Sequence, residues 1–339
     1  MKAYVIKAGS TSFAGLVQQE RAVPTPGSGE ILVRMHAASL NYRDLAVPMG
    51  VYIGGPVPGD ILPLSDGAGE VVATGESVSR FQVGDRVAGT FFRNCINSLP
   101  NPMTTAALGA GSVDGVLAEY VCFHENNAVK IPENLRYKEA ATLPCAGVTA
   151  WNALMVAGRP IKAGDTVLLL GTGGVSLQAL RLARAAGARV IITSSSDAKL
   201  QRARDLGADL LINYKHTPDW DKEVMSLTHG QGADCVVEVG GAGTLAKSMR
   251  SLAQGGKISL IGVLTREGDT NPHTLMLKAG SMHGIFVGNR VMFEDMNRAI
   301  EVNGIHPVID REFGFDEVLE SFSYMQSQAH FGKIVITMS

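Results

Sequence analysis

The sequence predicts an α/β protein of two domains: a doubly wound parallel sheet, and a β-rich domain assembled from both chain ends. Three observations predict it. The chain has 339 residues, enough for two domains of about 150 residues each. Its beginning and end read as short strands, while its middle alternates apolar strands with helical stretches. In that middle, one apolar strand runs straight into a glycine turn and a helix.

The N-terminal part, to about residue 125, is punctuated by Pro24-Thr25-Pro26-Gly27, Gly54-Gly55-Pro56 and Val83-Gly84-Asp85. Between such turn signals lie strands at Glu30 to His36, Gly69 to Thr74 and Asp85 to Ala88, the grammar of an irregular barrel or sandwich. Arg93 to Asp114, rich in Asn, Pro, Thr and Gly, reads as a long surface loop. Beyond about Pro132, strands are expected at Thr166 to Leu170, Arg189 to Thr193, Leu210 to Asn213, Cys235 to Val239, Lys257 to Ile261 and Ser281 to Val287. Helical stretches separate them, which means βαβ units and a parallel sheet. The closing His330 to Ile336 is again strand-like and returns to the first domain. The expected division is 1–125 with 305–339, and 126–304.

Composition narrows the function classes. Hydrophobic residues are 45% and charged residues 18%, as in ordinary globular proteins. With a net charge of −2 and no basic run, nucleic-acid binding has no electrostatic footprint. No window of about 18 apolar residues suggests a membrane span. The start, Met1 to Ile6, is strand-like and lacks a signal-peptide core. Cys95, Cys122, Cys145 and Cys235 form no CxxC pair and are too sparse for a disulfide framework. The cytosol is the expected compartment.

The most informative stretch is Val167 to Ser176. Gly171 permits a tight turn, and Gly173 lets a pyrophosphate approach the backbone. The helix opening with Gly174 and Val175 then offers N–H groups and its positive dipole end. Thr172 completes the turn. The full dinucleotide fingerprint has glycine where this chain has Ser176. An acidic residue about 20 positions past the first glycine would hold the ribose 2′-OH of NAD; here the place falls near Ser194. Ser194, Ser195 and Lys199 suit a 2′-phosphate instead, which predicts NADP(H). Asp197 could act either way, and Ser194 to Ser196 could simply cap the next helix.

The chain resembles the medium-chain dehydrogenase/reductase family, in particular its zinc-independent, quinone-oxidoreductase-like members. The resemblance is carried by Pro26 to Val33, Leu40 to Asp44, Ser65 to Val71, Val83 to Val87, Leu143 to Trp151, the glycine turn and Phe331-Gly332-Lys333. It implies a GroES-like catalytic domain around a central Rossmann domain, with the cofactor between them. It also implies cofactor contacts from Asn41, Thr149, Tyr214, Val239, Gly240, Ile261, Gly262, Val263, Phe286, Val287, Gly288, Phe331 and Lys333. Ser281 to Val287 would pair across a homodimer.

In zinc-dependent relatives the metal is held by two cysteines, a histidine and often an acidic residue. By motif these places fall here on Asn41, Cys145, Ser65 and Asp66. That is short of about three good ligands, so no metal is expected, and Cys145 reads as a small packed residue. Without a Lewis acid, quinones and α,β-unsaturated carbonyls suit hydride addition best. Tyr52 and Tyr42 are the candidate proton donors, with Asn41 beside the nicotinamide ribose; alternatively Tyr42 packs in the core and Tyr52 only lines a pocket. Arg43 and Asp44 read as a structural ion pair. The expected partner is a small carbonyl or quinone. The rival readings are an alcohol dehydrogenase or ketone reductase, and a non-catalytic NADPH-binding sensor or structural protein.

Overall fold

The computed structural model describes residues 1–101, 106–262, 264–265, 267–268 and 271–338. Its strands in chain order are β1 (Lys2–Ile6), β2 (Leu16–Glu20), β3 (Glu30–Ser39), β4 (Asp66–Thr74), β5 (Arg86–Gly89), β6 (Tyr120–His124) and β7 (Ala128–Lys130). Then come β8 (Thr166–Leu169), β9 (Arg189–Ser194), β10 (Leu210–Asn213), β11 (Ala233–Glu238), β12 (Leu252–Leu260), β13 (Ser281–Gly284), β14 (Ile309–Gly314) and β15 (Lys333–Thr337). The chain divides into two compact units, Met1–Val148 with Val287–Ser339, and Thr149–Phe286.

In the first unit a sheet runs in the order β14-β15-β3-β4-β5-β7, with β6 also on β3 and a separate β1-β2 pair. β3 is its spine. Ile31, Val33 and Met35 enter the core, and then Ala38 and Leu40 do. This change of phase coincides with a register shift between Met35 and Ala37. One extra residue reverses which face the following side chains occupy. Val71, Val87, Phe123, Ile334 and Ile336 complete that core. The C-terminal strand does return here, antiparallel to β3.

The second unit is the doubly wound sheet, in the order β10-β9-β8-β11-β12-β13, with every pairing parallel. Val167, Leu168 and Leu169 are wholly buried, as expected for central strands covered on both faces. Trp220, Val224, Leu245 and Met249, from helices Trp220–Leu227 and Ala242–Arg250, join Leu168, Ile191, Val236 and Ile258 in the core. The strand order reverses between β8 and β11, and ligands of open α/β sheets bind outside the strand ends at such a point.

Three features differ from the sequence expectation. The units change at 148/149 and 286/287 rather than 125/126 and 304/305. Residues 126–148 and 287–304 stay with the first unit because β7 pairs with β5 and Asn297 Nδ2 donates to Lys130 O at 3.0 Å. Helix Arg290–Val302 also buries Phe293, Met296 and Ile300. β13 stops at Gly284, short of Val287, whose φ of +55° is far from extended and rare for a β-branched residue. The described part of Arg93 to Asp114 is more than a surface loop. It buries Cys95, Leu108 and Ala110, and its Cys95 O and Ile96 O accept from Arg290 N and Val291 N. No helix among the described residues is long and apolar enough to cross a membrane.

Candidate functional site

Two regions, one in each unit, carry the candidate residues. In the second unit β8 ends at Leu169 and the chain turns at Gly171, φ +73°, a conformation that favours glycine. Helix Gly174–Ala185 then starts with Gly173 as N-cap, without a side-chain cap and without an acidic residue in its first turn. A Cβ placed on Gly171 or Gly173 would meet nothing within 4 Å, so open space faces the turn. The first-turn N–H groups of Gly174 and Val175 have no intrahelical acceptor. Uncapped donors, a positive dipole end and free room fit a pyrophosphate. Ser176 sits where glycine was the standard choice, and its Oγ donates to Leu170 O at 2.7 Å. The hydroxyl thus ties strand to helix at the point where they pack most closely.

Across the reversal, β11 ends in Glu238, which is fully buried. Its Oε1 accepts from Gly240 N at 2.7 Å, Gly241 N at 3.0 Å and Thr244 Oγ1 at 2.6 Å. Its Oε2 accepts from Ser248 Oγ. This carboxylate is a brace that shapes the loop carrying Val239 and Gly240. Glycine at 262 has a packing cause: a Cβ there would lie 1.7 Å from Val239 O. Ile261 N and Gly262 N both bond Glu238 O. Val263 lies outside the described residues.

The expected 2′-phosphate residues gather at the ends of β9 and β10. Ser194 is buried and Ser195 half-buried, and Tyr214 N donates to Ser194 O at 3.1 Å. The capping alternative is met by Ser196, whose Oγ accepts from Lys199 N at 3.4 Å. Ser194 Oγ accepts from Ser196 N at 3.3 Å. Asp197, the ambiguous acid, accepts from Asn213 Nδ2 at 2.7 Å, and Asn213 stands opposite Ser194 in the β9–β10 register, so the carboxylate is held by the neighbour of Ser194.

In the first unit, strand register builds the second region. Ser39 of β3 stands opposite Val335 of β15 on one side and Asp66 of β4 on the other. The first residues of β15 and β4, Lys333 and Asp66, therefore flank the segment that follows β3. Lys333 Nζ donates to Leu40 O at 2.5 Å and Asn41 Oδ1 at 2.6 Å, and lies 3.9 Å from Asp66 Oδ2. Asn41 Nδ2 approaches Ser65 Oγ at 3.5 Å. Ser65 Oγ donates to Asp66 Oδ1 at 2.7 Å, and Cys145 N donates to Asp66 Oδ2 at 3.1 Å. Leu64, at φ +66°, turns the chain that delivers Ser65 and Asp66.

Beside this cluster, Arg43 and Asp44 form the expected ion pair, 3.3 Å from Nε to Oδ1. Asp44 Oδ2 also accepts from Asn41 N at 2.7 Å. The Arg43 guanidinium lies over the rings of Phe91 and Tyr52, 4.7 and 5.2 Å from their centroids, and bonds Leu108 O. Burial holds the Tyr52 phenol above its ordinary pKa despite the pull of Arg43, so the group stays protonated at neutral pH. Tyr42 heads helix Arg43–Ala46 and is 51% exposed, which removes the alternative of core packing. Thr149, Val287, Gly288 and Phe331 are buried and Phe286 is half-buried. Sequence reading missed Leu64 and the role of Lys333 at Asn41; no local signal marks either, since both depend on strands meeting across the sheet.

The cluster was tested against zinc. Both Asp66 oxygens and the Asn41 carbonyl are already engaged by donors. Of the four places only Asp66 and Cys145 carry a carboxylate or thiol, short of the roughly three ligands zinc needs. The donor set does not fit the metal. Among the described residues no group of three or more His, Cys, Asp or Glu could hold one.

Comparison with known proteins gives the ancestry. Residues 27–133 match the alcohol dehydrogenase GroES-like domain, and 174–302 match the zinc-binding dehydrogenase domain. The latter span contains none of Asn41, Ser65, Asp66 and Cys145. A zinc-type alcohol dehydrogenase-like protein of Schizosaccharomyces pombe is 44% identical, over 98% of each chain. A 2-methylene-furan-3-one reductase of Solanum lycopersicum is 31% identical, over 93% of this chain and 73% of its own. The crystal structure of an NAD-dependent alcohol dehydrogenase is 33% identical and superposes with a TM-score of 0.91 over 100% of both chains. With its GroES-like unit, its Rossmann unit and these relatives, the chain belongs to the medium-chain dehydrogenase/reductase family of oxidoreductases.

Proposed function

We propose that this protein is an NADP(H)-dependent reductase of quinones or α,β-unsaturated carbonyls that works without zinc. The observation that carries this reading is the cluster around Asn41, whose Asn41 and Asp66 oxygens accept from Lys333, Ser65 and Cys145 N and do not fit a Lewis acid. An acceptor that is already electron-poor needs no such help. The bound nicotinamide supplies the hydride.

The chain's own residues do the rest. Gly171, Thr172, Gly173, Gly174 and Val175 cradle the diphosphate, while Ser194, Ser195, Lys199 and Tyr214 take the 2′-phosphate. That β9 ends in Ser194, a hydroxyl where an NAD-binding strand would end in an acid, supports NADP over NAD. Thr149, Val239, Gly240, Ile261, Gly262, Val263, Phe286, Val287, Gly288 and Phe331 border the cofactor. Asn41, fixed through its carbonyl, positions the nicotinamide ribose. Tyr52, protonated and beside Arg43, supplies the proton to the enolate or hydroquinone oxygen, with Tyr42 as the second donor. The edge strand β13, which among the described residues pairs only with β12, is the surface through which a homodimer would form.

The test is oxidation of NADPH, and separately NADH, against a panel of quinones, enones and simple ketones. The expected result is turnover of the first two classes with NADPH. The second reading, an alcohol dehydrogenase, is favoured by the NAD-dependent structural relative and would show as turnover of simple alcohols with NAD. Binding of NADPH with no turnover of any class would point to a sensor.

A further inference from the structure

The centre in the first unit already contains a cation. Lys333 is 3% exposed and Asp66 is fully buried. Lys333 is the cationic side chain found, among the described residues, within 4 Å of that carboxylate. Its ammonium contacts the residues at two of the four zinc-ligand places, Asn41 and Asp66, and Asp66 in turn joins the other two, Ser65 and the backbone of Cys145. The register of β15 and β4 on β3 forces this meeting, because Lys333 and Asp66 are the first residues of the two strands that flank β3.

We propose that the Lys333 ammonium is the resident cation of this centre, a built-in replacement for a metal: it neutralises Asp66, fixes Asn41 through its carbonyl, and bars a divalent ion from the set. The charge balance supports this. The two buried carboxylates, Asp66 and Asp44, are matched by two cations, Lys333 and Arg43, and a divalent ion placed beside the ammonium would meet strong repulsion where water is excluded. Remove the ammonium, and Asp66 is left as a buried anion without its counter-ion, free to serve a divalent ion once enough ligands stand beside it. Lys333 is thus a positioning residue for Asn41 and, beside the short ligand set, a second reason the centre refuses metal. The idea rests on the metal-free reading of the same centre, but its test reads metal uptake and folding instead of turnover, so either can fail alone.

The experiment is dialysis of the purified full chain against Co²⁺, followed by absorption spectroscopy for thiolate-to-cobalt charge transfer. The wild type and Lys333→Arg should take up no cobalt at Cys145 and show no such band. Lys333→Met alone keeps only Asp66 and Cys145 as ligands and should show at most a weak band. Ser65→His/Lys333→Met, with three ligands, should bind about one cobalt per chain with the band present, while Ser65→His with Lys333 retained should not. Adding Cys145→Ser to the double variant should abolish the band. A charge-transfer band in the wild type would overturn the proposal. So would refusal of cobalt by Ser65→His/Lys333→Met, or equal uptake by Ser65→His with Lys333 retained. A second arm covers the case in which Lys333→Met folds poorly. Asp66→Asn/Lys333→Met, which removes both charges, should recover most of the lost thermal midpoint; no recovery would equally overturn it.

Discussion

The two functional regions solve the same problem, a buried charge, in opposite ways. Glu238 in the second unit is satisfied almost entirely by its own neighbours, Gly240, Gly241, Thr244 and Ser248. Asp66 in the first unit depends on Ser65 beside it but also on Cys145 and Lys333, distant in sequence. The first arrangement is a local brace that holds a loop for a ligand. The second is a long-range assembly in which chain ends meet, and it exists only when the whole sheet is folded. A local brace gives stability, whereas an assembled centre gives chemistry that is sensitive to small displacements.

That contrast predicts different failures. Asn41→Ala should leave the fold intact yet lower kcat/KM by about 10²-fold, because misplacing a positioning group near the reacting atoms has that scale of cost. Steady-state kinetics with NADPH and an enone would measure it, and a loss within about threefold would break the assignment of Asn41. Glu238→Leu should do the reverse, costing about 3 kcal/mol or more of stability in urea titrations as several buried donors lose their acceptor. Ser194→Asp should shift preference from NADPH toward NADH by about 10- to 100-fold, since a carboxylate repels the 2′-phosphate and accepts from a 2′-hydroxyl. Ser176→Gly restores the usual glycine, so it should cost only about 1 kcal/mol for the lost bond to Leu170 O and the added backbone freedom. Cofactor affinity should be unchanged.

The smallest effect concerns pH. His36 is stacked on Tyr137, with rings 4.2 Å apart and 6° from parallel. Burial, aided by Arg34, lowers its pKa from 6.5. The unfolded chain therefore binds this proton more readily than the folded one. Stability should fall as pH drops below about 6.5, down to the lowered folded value. His36→Gln should flatten that part of the profile in thermal melts, and an unchanged slope would contradict the assignment.

The same contrast explains what the sequence disclosed. The strand–glycine turn–helix was legible because its parts are contiguous: strand, Gly171, Gly173 and helix follow one another. β10 was read to the residue for the same reason, being a short apolar run between turns. Strand ends were less legible where the backbone, not the pattern, decides. Val287 continues an apolar run in sequence but turns left-handed in space. The metal-ligand places were readable by motif, whereas Lys333 at Asn41 was not. Its position follows from the β15–β3 register, which brings together residues nearly 300 positions apart. Tyr42 shows a subtler limit, since nothing in Leu40 to Asp44 says which side chain faces water.

The most direct test of the central claim is the rate of NADPH oxidation with an enone, measured on one preparation before chelation, after exhaustive dialysis against a chelator, and after zinc is added back. The account predicts the same rate in all three. A rate that falls on chelation and returns with zinc would contradict it.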